Sequence, residues 1–235
     1  MGHDHELREA PVAEYDCKVA NPLIWISLVA SLLYYATQPW HPFPGSIVLK
    51  GLAVAPLALM AWRASGLSRR DGLLLGSALA FGALGDVLLD VKASWFGAGL
   101  GAFLIGHFLY IALFWGNRRK PTKLAYLETV IVLALALFAS AMSLYLLPAT
   151  GDLALAVAVY LGALTGMVMA AVVMQLPERW VMTGALLFLL SDTIMAVSKF
   201  KHPMLGHNLL VWPTYYAGQL LIAVGYLRAK AGRLG

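Results

Sequence analysis

The stretch FGALGDVLLDVKASWFGAGLGAFLIGHFLY, residues 81–110, decides how the chain is read. Two apolar runs flank the short break KASW, and inside them stand Asp86, Asp90 and His107. An ionisable group in a membrane helix costs about 3 kcal/mol even on lenient insertion scales, so where one is kept it marks a site or a structural pair. The surroundings of these three groups therefore set the reading of everything else.

Composition gives the class. With 60% hydrophobic and 12% charged residues, the chain lies well outside the range of soluble domains and reads as an all-α, polytopic integral membrane protein. Cys17 is the single cysteine, so no internal disulfide forms and helix packing must hold the fold. The net charge of +5 sits in short loops, with no aromatic-interleaved basic face, which excludes a nucleic-acid partner.

Residues 1–22 form a polar tail rich in Asp and Glu, unlike the basic start of a signal peptide. Asn21 and Pro22 are a helix start signal. A transmembrane domain over 23–228 then divides into eight apolar runs at 23–37, 46–63, 72–91, 96–116, 123–147, 152–175, 180–199 and 209–228, most near the length a bilayer demands. The first is short. Residues 229–235 form a basic C-terminal tail.

Cytoplasmic loops retain Lys and Arg. The N-terminal tail, alternate loops and C-terminus hold thirteen of them (Arg8, Lys18, Arg63, Arg69, Arg70, Arg118, Arg119, Lys120, Lys123, Arg179, Arg228, Lys230 and Arg233), and the opposite loops hold only Lys92, Lys199 and Lys201. Both termini are therefore expected in the cytoplasm, in the inner membrane if the source is bacterial. On that topology Lys50, Asp86, Asp90 and Asp192 fall in the outer half. His107, Tyr160, Tyr215, Tyr216 and Gln219 come in roughly 9 to 17 Å below the outer starts of their runs at the helical rise. One shared level predicts a single wet cavity lined by runs two, three, four, six, seven and eight.

Spacing adds detail. Asp86 and Asp90, His107 and Tyr110, and Tyr215 and Gln219 each share a helix face. Gly72 with Gly76, Gly97 with Gly101, and Gly162 with Gly166 are small-xxx-small pairs suited to close helix approach. Gly85-Asp86 and Ser191-Asp192 recur in the third run of each four-run half, a weak sign of a parallel four-plus-four pseudo-repeat.

Each residue also has a plainer reading. Asp90 beside Lys92 reads as an end residue or local ion pair, Lys50 and Lys199 as snorkelling cations, and His107 as a hydrogen-bonded core histidine. Tyr215 and Tyr216 suit an interfacial aromatic belt. Pro56 and Pro213 read as kinks. Asp86 and Asp192 lie deeper and are read as functional.

The chemistry narrows by elimination. Only His107 among the histidines lies within a run, too few for a metal hydrolase, so no metal or other cofactor is expected. No G-x-S-x-G is present for a serine esterase. Carboxylate acid–base chemistry remains: of two carboxyl groups in a low-dielectric cleft, one can act as acid and one as anion. That division suits cleavage of an acetal or enol ether through an oxocarbenium-like cation.

GDVLLD, then FGAGLGAFLIGHFLY, SDTIMAVSKF and YYAGQLLIA, in this order from about Lys50 to Leu227, resemble the YhhN family of integral membrane lysoplasmalogenases. The resemblance implies eight spans and hydrolysis of the vinyl ether of a lysophospholipid substrate, giving a fatty aldehyde and a glycerophospho-base. It carries polar positions onto Lys50, Asp86, His107, Tyr110, Asp192, Tyr215, Tyr216 and Gln219. It departs at Lys199, where arginine is as frequent, and at Gly218, where alanine is usual. Asp86, Asp192 and His107 are thus the expected catalytic residues. Lys50, Asp90, Tyr110, Tyr160, Lys199, Tyr215, Tyr216 and Gln219 are expected to bind substrate, with Lys92 and Lys201 as further candidates for the phosphate. The expected partners are the substrate and membrane lipids; oligomeric state is left open. The alternative is a transporter or lipid-binding protein using the same carboxylates.

Overall fold

Asn21 caps the first helix with its side-chain oxygen, which accepts from the Leu23 N–H at 3.0 Å, and Pro22 takes the first helical position, where its missing N–H does no harm. The computed structural model describes residues 21–40, 43, 45–118, 126–174 and 179–231. The polar tail to residue 20, with Cys17, and the loop and terminal cations Arg119, Lys120, Lys123 and Arg233 lie outside the described residues.

Eight α-helices follow among the described residues: α1 (Pro22–Ala36), α2 (Ser46–Arg63), α3 (Arg69–Val91), α4 (Phe96–Gly116), α5 (Tyr126–Leu146), α6 (Ala154–Val172), α7 (Arg179–Phe200) and α8 (Asn208–Ala231). A lone antiparallel bridge between Arg118 and Met174 is the only β pairing among them. Six helical segments are long and apolar enough to cross a membrane: Ser46–Arg63, Arg69–Val91, Ala93–Gly116, Tyr126–Ala149, Gly151–Val172 and Arg179–Phe200. The chain is a multi-pass membrane protein. α1, with 15 residues, is short for a span, and α8 is long but carries Arg228 and Lys230 in its last turn.

α3 begins three residues earlier than the apolar pattern suggests. Ser68 accepts from the Asp71 N–H at 3.1 Å and draws Arg69, Arg70 and Asp71 into the first turn. Asp71 is buried there, 2.8 Å from Lys230 of α8, whose ammonium also donates to Asn117 Oδ1 at 2.6 Å. This contact extends α8 to Ala231, so residues 229–231 belong to the bundle and not to a tail.

Of the predicted pairs, Gly72 and Gly76 do lie at a close approach, where a Cβ on Gly72 would stand 3.3 Å from the Ala61 carbonyl oxygen of α2 and one on Gly76 would run into the Trp62 ring; other glycines outside the predicted pairs serve the same purpose. A Cβ on Gly184 would lie 2.7 Å from the Gly218 carbonyl oxygen, and one on Gly218 would lie 2.9 Å from that of Gly184, so α7 and α8 meet backbone to backbone. Gly97, Gly101 and Gly162 face open space. Pro56 and Pro213 lie inside α2 and α8, as expected. Carbonyls beside them are occupied: Ser27 donates to Ala53 O, and Ser191 to Val211 O at 3.1 Å. α5 stands at the rim, with only Leu135 and Leu146 of its residues buried.

Candidate functional site

The small residue before each intramembrane aspartate is a packing requirement. A Cβ on Gly85 would meet the Phe103 ring of α4 at 2.6 Å, and the Ser191 hydroxyl bonds α8. Each aspartate is thereby held at a close helix seam, with Asp86 3% and Asp192 7% exposed.

Tyrosine hydroxyls hold both carboxylates. Tyr215 of α8 donates to Asp86 Oδ2 at 2.6 Å, and Tyr160 of α6 donates to Asp192 Oδ2. Behind Asp86 runs a directed series of hydrogen bonds. Tyr110 donates to Gln219 Oε1 at 2.6 Å, and Gln219 Nε2 donates to the Tyr215 oxygen at 3.2 Å. Gln219 lies against Gly82, where an added Cβ would stand 2.6 Å from Nε2. The shared face of Tyr215 and Gln219 is thus borne out, and Tyr110 is tied to Asp86 through two intermediaries.

Lys50 is committed to carboxylates. Its ammonium lies 2.9 Å from Asp90 Oδ1 and 4.0 Å from Asp86 Oδ1, over the rings of Tyr34 and Trp212 at 5.6 and 5.9 Å. Asp90 therefore pairs across the α2–α3 seam, not with Lys92 along its own helix, and Lys50 does not snorkel. Among the described residues no cation lies within ion-pair distance of Asp192. Asp86 and Asp192 are nonetheless within electrostatic reach of each other.

His107 is buried between aromatic neighbours, with the rings of Tyr160 and Phe188 each 5.0 Å away and roughly edge-on. Neither imidazole nitrogen finds a well-formed hydrogen bond among the described residues; the Phe103 carbonyl, one turn back, is the nearby backbone acceptor. The core-histidine reading required a satisfied ring. A buried imidazole in this state has hydrogen-bonding capacity left over.

Two adjoining cavities among the described residues border part of the expected set. An apolar groove of about 510 Å³ runs between α4, α5, α6 and α7, with Asp192 and Tyr160 in its wall and Lys199 at one end. A vestibule of about 1000 Å³ is lined by Lys50, Asp90, Ser198, Lys199, His207 and Asn208. Phe96, Met195 and Lys199 border both. Asp86, His107, Tyr110, Tyr215 and Gln219 are buried and border neither of the two.

Tyr216 departs from expectation. It turns toward α1, where its hydroxyl lies 2.8 Å from Ser27 Oγ, and it stacks on Trp212. Adjacent helix residues point about 100° apart, so Tyr215 and Tyr216 could not both face Asp86. Lys201 lies over the Tyr145 ring at 4.9 Å and Lys92 is exposed; neither borders the groove or the vestibule. The sequence reading missed Ser27 and Ser31, whose four-residue spacing on apolar α1 was a usable signal. His207 and Asn208, which line the vestibule, carried no such pattern.

Residues 45–226 match the model of the YhhN family. The chain is 35% identical over 213 residues to the lysoplasmalogenase TMEM86B of Homo sapiens, covering 91% of this chain and 88% of that one. It is 36% identical over 150 residues to TMEM86B of Sus scrofa, covering 64% and 62%. It is 31% identical over 164 residues to the lysoplasmalogenase of Mycobacterium tuberculosis, covering 67% of this chain and 61% of the mycobacterial one. No solved structure matches.

Proposed function

The chain belongs to the YhhN family, and from that premise we propose that it is a lysoplasmalogenase, hydrolysing the vinyl ether of a lysoplasmalogen to a fatty aldehyde and a glycerophosphoethanolamine or glycerophosphocholine. The observation that carries the reaction is the pairing of two buried carboxylates of unlike surroundings. Asp86 has the Lys50 ammonium beside it, and Asp192, with Tyr160, opens onto a lipid-like groove.

A cation favours a neighbouring anion, so Asp86 serves as the carboxylate and Asp192 as the acid. Asp192 delivers its proton to the vinyl carbon remote from oxygen, leaving an oxocarbenium ion. Asp86, which lies behind the groove and does not border it, stabilises that cation through its charge, and the Asp192 carboxylate left by the first step takes a proton from the water that adds. The hemiacetal then collapses to aldehyde and the free glycerol hydroxyl. His107 and Tyr160 orient the water and the departing oxygen. Lys199, bordering both cavities, takes the phosphate, a role that Lys50 cannot fill while it holds Asp90. Tyr110 and Gln219 fix Tyr215, and Tyr216 braces α1; none of the three is then a direct substrate contact.

Eight spans with both termini cytoplasmic complete the proposal. The Lys and Arg count supports that orientation, and in a bacterial cell the location would be the inner membrane. The parallel four-plus-four relation is part of the same reading, supported by the recurrence of a small residue and Asp at Gly85-Asp86 and Ser191-Asp192. Independence from metal is also proposed: among the described residues no three His, Cys, Asp or Glu side chains gather in one place.

The test is aldehyde release by purified protein on an alkenyl lysophospholipid, with and without EDTA, beside an uptake assay in vesicles. Aldehyde insensitive to chelator, without net transport, is the expected result. Loss of activity on chelation would remove the metal-free mechanism. Flux without aldehyde would establish the transporter reading.

A further inference from the structure

We infer that the vestibule is the headgroup site, and that Asp90 there selects an ammonium carrying N–H bonds, as in ethanolamine, over the quaternary ammonium of choline. The inference rests on the lysoplasmalogenase reading above and on Lys199 as the partner of the phosphate.

Two walls of the vestibule carry opposite charge. Lys199 stands in the last turn of α7 and Asp90 in the last turn of α3, and both line the space. Beside Asp90, the Lys50 ammonium lies 2.9 Å from Asp90 Oδ1 and 4.0 Å from Asp86 Oδ1. One cation set between two carboxylates leaves the α3 side with a net negative charge, and Lys199 gives the α7 side a positive one. A phosphoethanolamine or phosphocholine group has the same layout, with phosphate and ammonium two carbons apart. Among the described residues that line the vestibule Asp90 is the one carboxylate, so with phosphate at Lys199 it is the group the ammonium meets. A carboxylate has about four acceptor positions. The substrate's ammonium therefore joins Lys50 at Asp90 without displacing it.

The choice between headgroups follows from what the two lysines occupy. A quaternary ammonium donates no hydrogen bond and is held best by the faces of several aromatic rings. Phe96 is the aromatic residue of the vestibule lining, and Lys199 already sits over it at 4.7 Å. Tyr34 and Trp212, the aromatic pair next to Lys50, hold that ammonium at 5.6 and 5.9 Å. The protein's own cations thus take the ring faces. Oxygen acceptors are left for the substrate: the Asp90 carboxylate and, on the α8 side, the Asn208 amide. They suit a primary ammonium, whose N–H groups form charge-assisted hydrogen bonds that choline cannot make.

The experiment measures kcat/KM of the purified full-length protein for three alkenyl lysophospholipids of one chain length, headed by phosphoethanolamine, phosphocholine or a bare phosphate. Ratios between substrates cancel the folded fraction of each preparation and any effect on the shared chemical step. Wild-type protein is expected to favour ethanolamine over choline by about tenfold, the worth of one charge-assisted hydrogen bond. Asp90→Asn is expected to lower the ethanolamine-to-phosphate ratio by about the same factor. Asn208→Lys, at an exposed position, adds a cation to the vestibule and is expected to lower that ratio too, which keeps the assignment open to refutation if Asp90→Asn does not fold. A wild-type preference between ethanolamine and choline of less than about twofold would overturn the selectivity. An ethanolamine-to-phosphate ratio that neither folded variant moves would overturn the vestibule as the headgroup site. Wild-type protein that releases aldehyde from none of the three would overturn the lysoplasmalogenase reading itself, so the failures are distinguishable.

Discussion

Asp192→Asn is expected to lower kcat for aldehyde release by about a hundredfold or more, the usual loss when a general acid is removed. Asparagine has the same shape and keeps an oxygen to accept from Tyr160, so the groove is preserved and KM changes little. The substitution removes only the transferable proton. A fall in KM-weighted affinity with kcat intact would mean that Asp192 binds substrate and does not protonate it. Near wild-type release would remove it from the mechanism.

Asp86→Asn is expected to cost about 10²- to 10³-fold in kcat, the scale seen when a preorganised group facing transition-state charge is lost. Tyr215 can still donate to the amide oxygen, and Lys50 keeps Asp90 at 2.9 Å. Melting should therefore stay close to wild type while activity falls. An unfolded variant would assign Asp86 a structural role; a folded, active one would leave Lys50 without its proposed effect on catalysis.

Much of the fold was legible because apolar runs and breakers are local signals. The Asn21-Pro22 start needs no tertiary information, and the run at 96–116 coincides with α4. The start of α3 was not, since Arg69, Arg70 and Asp71 look like loop charges until Ser68 caps them and Lys230, far along the chain, covers Asp71. The same holds at the site. Periodicity put Tyr215 and Gln219 on one face and marked Asp86 and Asp192 as buried. It could not tell that Asp90 prefers Lys50 to Lys92, because i, i+2 residues on a helix point apart while α2 presents a lysine directly opposite. Nor could depth alone separate a packed polar network from an open groove. The expected topology puts all the polar groups in the outer half, and which of them border a cavity depends on tertiary packing.

The most direct test of the central claim, that the vinyl carbon is protonated and water adds to the resulting oxocarbenium ion, is a turnover in water labelled with heavy oxygen, with the label read in the glycerophospho product. The mechanism predicts that this product keeps its original ether oxygen and gains no label, because the water oxygen goes to the aldehyde. Label in the freed glycerol hydroxyl would contradict the mechanism, because the bond between that oxygen and the glycerol carbon would then have been the one broken.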